Sequence, residues 1–71
     1  MKVMYTTDLS RPGNDCYIYE SITLAEQFDL YVVIKMFKVT GWADHEDAYI
    51  ACTTRDRAEA IKQYKELGGI I

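Results

Sequence analysis

Asp44, His45 and Asp47 fall within four positions, and Cys52 follows shortly after. Carboxylate, imidazole and thiolate are the groups that hold zinc, so this stretch is the natural place to look for metal chemistry. Its spacing argues against it. Structural zinc sites pair their ligands closely, and calcium loops alternate oxygen ligands around a central glycine. The run Asp44-His45-Glu46-Asp47-Ala48 does neither. It reads as a solvated acidic loop, and no bound metal is expected.

Nucleophilic catalysis would need Cys16 or Cys52 beside His45, the sole histidine. A strand starting just after that loop would carry Cys52 away along its length. The chain also lacks a Gly-x-Ser-x-Gly elbow, a phosphate loop and a dinucleotide fingerprint. A domain of 71 residues leaves little concave volume for a substrate. Neither a catalytic residue nor a cofactor is therefore expected. Two isolated cysteines are also too few for the disulfide scaffold of a small secreted domain, so both are expected to be reduced, small apolar side chains.

Binding leaves a clearer trace. Six tyrosines, one tryptophan and two phenylalanines make the chain 13% aromatic. Tyr and Trp supply contact area at low entropic cost and concentrate at interfaces. Trp42 stands beside Asp44, Glu46 and Asp47, with Tyr49 just beyond. These five residues form the candidate protein-binding site: the aromatics would anchor a partner and the acids would steer a basic surface toward them.

The charge balance agrees. Net charge is −3. Residues 1–54 hold four Lys and Arg against eight Asp and Glu, a net of −4, and residues 55–71 hold four against three, a net of +1. Nucleic-acid binding needs clustered Lys and Arg, so direct contact with nucleic acid is not expected.

These residues need elements to position them. Leu30 to Thr40 is rich in β-branched and aromatic residues and apolar on both alternating faces, as a central strand covered on two sides would be. Lys2 to Thr7, Cys16 to Leu24 and Ala48 to Thr53 read as further strands. Residues 9–15 read as a loop turning at Pro12-Gly13, and residues 25–29 as a turn. A competing capping box, Thr23-Leu24-Ala25-Glu26, would instead start a short helix. The last element is a helix over about residues 55–67. It has a threonine as N-cap, an apolar stripe of Ala58, Ile61, Tyr64 and Leu67 with Ala60 alongside, and Gly68-Gly69 as terminator. Ile70 and Ile71 are expected to fold back on the core.

The expectation is thus one domain, residues 1–71, of the α+β class: an antiparallel sheet of three to four strands with a C-terminal helix on one face. A helix covers only one side of a central strand, so the other side needs a further layer, a second protomer or a partner. The apolar run ending at Ile34 is stopped by Lys35, too soon for a membrane span, and Met1 to Tyr5 has no apolar leader core. A cytoplasmic location is expected. The favoured function is a small acidic protein-binding module, of the type mobile elements such as phages encode, inhibiting a host protein by blocking a basic surface such as that of a nucleic-acid-binding defence complex. The main alternative is a homodimeric structural or regulatory subunit. A metal-binding protein or an enzyme is the remote one.

Overall fold

Where apolar and polar residues alternate at a period of two, the chain forms strands, and the strands are longer than the sequence suggests. The structure, a computed structural model, describes residues 1–41 and 44–71. Its elements are β1 (Lys2–Asp8), β2 (Arg11–Gly13), β3 (Cys16–Gln27), β4 (Leu30–Gly41), β5 (His45–Thr54) and α1 (Arg57–Glu66). All pairings are antiparallel, in the order β1-β3-β4-β5, with β2 also on β3.

β1 and β2 behave as one broken strand. Asp8 pairs with Ser21 and Arg11 with Ile18, so the register carries through the break. Leu9 N–H bridges it by donating to the Glu20 carbonyl at 2.8 Å. Residues 9–15 are therefore not the open loop expected. Pro12 and Gly13 lie in the strand, and the turn falls on Asn14-Asp15, where Asp15 takes φ 56°. Proline is tolerated at this edge because it has no N–H to leave unpaired.

The sheet has two unequal faces. Ile22 and Leu24 of β3 and Val33 of β4 point to one side and are fully buried beneath Ala60 and Tyr64 of α1. Tyr5, Tyr31, Cys52, Ile61 and Leu67 pack around them. Two bulges help. One, at Met4, turns both Met4 and Tyr5 toward this core; the other, beside Ala51, restores Cys52 to it.

The helix differs from expectation at its start and in its facing. Asp56 is the N-cap, accepting from Ala58 N–H at 3.0 Å and Glu59 N–H at 3.5 Å. Thr54 acts one step earlier, its hydroxyl accepting from Asp56 N–H at 3.1 Å. A carboxylate caps better than threonine and complements the helix dipole. The face that docks on the sheet is centred on Ala60 and Tyr64, with Ile61 and Leu67 half-buried and Ala58 exposed. The expected end does form. Gly68 adopts φ 104°, and N–H groups of Gly68 and Gly69 reach back to the carbonyls of Lys65 and Tyr64 at 3.0 and 2.9 Å.

The capping-box alternative at Thr23 is not realised. Thr23 to Gln27 continue β3, because a buried Leu24 and Ala25 must alternate with the sheet's two faces. The turn narrows to Phe28-Asp29, since Gln27 pairs directly with Leu30. At the C-terminus the fold-back is one of backbone only. Thr7 Oγ1 bonds to Tyr64 Oη and accepts Ile70 N–H at 2.9 Å, yet the side chains of Ile70 and Ile71 are exposed.

Truncations should rank by this facing. Ile22→Ala, fully buried, should cost about 2–5 kcal/mol, and half-buried Ile61→Ala clearly less. Ala58→Lys should leave the urea midpoint unchanged. A large loss from Ala58→Lys would put the stripe back where the sequence suggested.

Candidate functional site

Strand alternation sends successive side chains of β5 to opposite faces. Val39 pairs with His45, Lys38 with Glu46, Phe37 with Asp47 and Lys35 with Tyr49. Asp47 and Tyr49 therefore share the helix-bearing face, while Glu46 points to the helix-free one. Asp44 stands just before the strand. All four are exposed. Trp42, the fifth candidate residue, lies outside the described residues. The candidate site is thus an acidic strand end that projects on both faces, rather than one patch.

This end lies well beyond the helix. From Val33 in the core to Val39 opposite His45 is six residues, or about 20 Å of strand. What closes the helix-bearing face there is an ionic cluster. Glu20 accepts from Arg11 at 3.0 Å and faces Lys35 at 3.7 Å, with its own side chain 13% exposed. Among the described residues no cation forms an ion pair with Asp44, Glu46 or Asp47, so their charge is left for solvent or a partner. Phe37 and His45 meet edge to face, with ring centroids 6.4 Å apart.

The helix-free face carries features the sequence reading did not assemble. Tyr17 and Tyr19 lie side by side with centroids 4.6 Å apart, both exposed. Met36 and Ile50 are exposed beside them along the sheet. A shallow depression of about 560 Å³ runs over Tyr19, Ser21, Met36 and Lys38 toward Glu46. At its edge the Ser10 hydroxyl and its N–H, the latter at 2.9 Å, hold the Asp8 carboxyl below the ordinary carboxylate range. That contribution is present at neutral pH and disappears as the pH falls through the lowered value.

Phe28 escaped the sequence reading altogether. It sits at the first position of the two-residue β3–β4 turn with φ 57°, and it is 89% exposed. Glycine is the ordinary occupant of a turn position with positive φ. A bulky aromatic there is both strained and unburied.

β5 does not bring His45 and Cys52 together. His45 and Cys52 are seven residues apart on that strand, or about 23 Å. Among the described residues no three His, Cys, Asp or Glu side chains gather to hold a metal ion. No described helix is long and apolar enough to cross a membrane. The chain matches no protein-family model, no curated protein and no solved structure at a significant level.

Because the acidic end is exposed and unpaired, its charges should be dispensable to folding. The triple variant Asp44→Asn, Glu46→Gln, Asp47→Asn should unfold in urea within about 0.5 kcal/mol per substitution of the parent. A larger loss would show that the carboxylates hold the hairpin together.

Proposed function

We propose that this chain is a small cytoplasmic protein-binding module that acts by occupying a partner's surface, not by chemistry. The observation that carries the reading is the placement of Asp44, Glu46 and Asp47 with Tyr49. They stand exposed along the outer half of the β4–β5 hairpin, without ion-pair partners among the described residues, and the strand end at His45 lies about 20 Å from the core. A domain this small gains nothing in stability from like charges held together. Charge of one sign at a projecting end raises the encounter rate with a surface of opposite sign. The partner is therefore a protein with a basic surface.

Basic surfaces of this kind also serve nucleic acids, and an acidic strand end placed on one would displace the phosphates. Inhibition of a nucleic-acid-binding protein, in the manner of a mobile-element product acting on its host, follows as the biological role. The small size and the acidity of residues 1–54 support it.

Kinetic binding tests the proposal. Proteins captured from a lysate by the immobilised chain should elute with salt. For a purified partner so identified, the triple charge-neutralised variant should associate about tenfold more slowly at low ionic strength, and its rate should respond less to added salt. Unchanged association rates at two ionic strengths would remove the acidic end from the interface.

A further inference from the structure

Among the described residues the helix leaves one whole face of the sheet without a second layer, and that face is apolar in its middle. Val3, Ala25 and Val32 lie side by side across β1, β3 and β4, and Ile34 and Ile50 follow across β4 and β5 with Met36 beyond. Val3 is 58% exposed, Ile50 63% and Met36 48%, whereas Ala25 and Val32 between them are already buried within the single chain and Ile34 is half-buried. With the exposed Tyr17 and Tyr19 on the same face, these side chains gather apolar surface of the kind that marks an interaction site.

We propose that the occupant of this face is a second copy of the chain, the two sheets packing face to face with a helix on each outside. This goes beyond the binding role of the hairpin end, uses a different surface and needs no other protein. Three observations select a second copy. The first is charge: the stripe itself carries none, and at its end Lys38 lies opposite Glu46 in register. Asp8, opposite Ser21, is the further charge at the margin of this face; the stripe itself offers a charged partner nothing to pair with, whereas an identical stripe is matched to it. The second is area. Strand geometry gives about 16 Å² of face per residue, so the whole face of β1, β3, β4 and β5, its polar margins included, offers at most about 650 Å² per chain and about 1,300 Å² in a pair, at the lower end of the range of stable interfaces. The third is size. A 71-residue chain has a marginal core, and burying the second face completes the layer it lacks.

Phe28 belongs to the same account. It caps the β3–β4 turn next to the Val3 and Val32 end of the stripe, where its exposure and its positive φ have no use within a single chain. Contact across the pair supplies one.

Sedimentation equilibrium of the purified chain decides the matter. The expected mass is twice 8.2 kDa. The double variant Met36→Lys, Ile50→Lys alters side chains that are already exposed in one chain, so it should keep its far-ultraviolet spectrum and fall to the single-chain mass. Phe28→Gly should weaken association while leaving the Tm of the dissociated chain equal or higher, because glycine relaxes the turn. Asp44→Asn, Asp47→Asn should keep the paired mass, which separates this proposal from the role of the hairpin end. A parent chain that stays at 8.2 kDa at every concentration overturns the proposal and assigns the face to another partner. So does a double variant that remains paired, since the contact would then lie elsewhere.

Discussion

Among the described residues one short helix is the only second layer this sheet has. At ten residues α1 is about 15 Å long, while the molecule extends 41 Å along its greatest dimension. The helix can therefore bury one face over part of its length and no more. Much of the molecule follows from that mismatch. Among the described residues the fully buried side chains of this face are Ile22 and Leu24 on β3 and Val33 on β4, beneath Ala60 and Tyr64 of α1, while Ala25 is buried on the other face. Farther along the same face, burial gives way to the Arg11–Glu20–Lys35 cluster. On the opposite face there is no helix at all.

Tyr64 shows how tightly the one covered region is joined. Its ring lies 6.1 Å from that of Tyr5, and its hydroxyl bonds to Thr7, whose oxygen also accepts from Ile70 N–H. One side chain thus links the helix, the β1 edge and the chain's end, and it satisfies a buried polar group in doing so. Stability is concentrated at this junction, which leaves the hairpin end and the helix-free face open to selection for contact with other molecules. Their chemistries differ. The hairpin end is charged and suits fast, salt-sensitive encounter; the face is apolar and suits close packing.

The sequence made the fold class legible because its signals were redundant. Alternation in β3 and β4, and the glycine pair after Leu67, each pointed to the structure that forms. Boundaries were less legible where a local signal competed with register. Pro12-Gly13 looks like a turn and the capping box at Thr23 like a helix start, but both segments lie along a sheet whose pairing continues through them. The N-cap shifted from threonine to Asp56 for a purely local reason, the better acceptor standing two residues on from Thr54. Of the candidate site, the exposure of Asp44, Glu46, Asp47 and Tyr49 was foreseeable. Their division between two faces was not, because it depends on how far β5 extends toward His45. The value of Phe28 was hidden for a different reason: backbone φ at a turn is set by the strands it joins, not by the residue that occupies it.

The central claim is that the two faces differ in kind: the chain's own helix covers the core of one, and association covers the exposed apolar side chains of the other. Solvent paramagnetic relaxation of methyl groups, followed over a dilution series with a soluble probe, reads this directly. Ile22, Leu24 and Val33 should be shielded at every concentration, whereas Ile34, Met36 and Ile50 should be bleached in dilute solution and become shielded as concentration rises. Ile34, Met36 and Ile50 shielded as fully as Ile22 at the lowest concentration, or equally bleached at all of them, would contradict it.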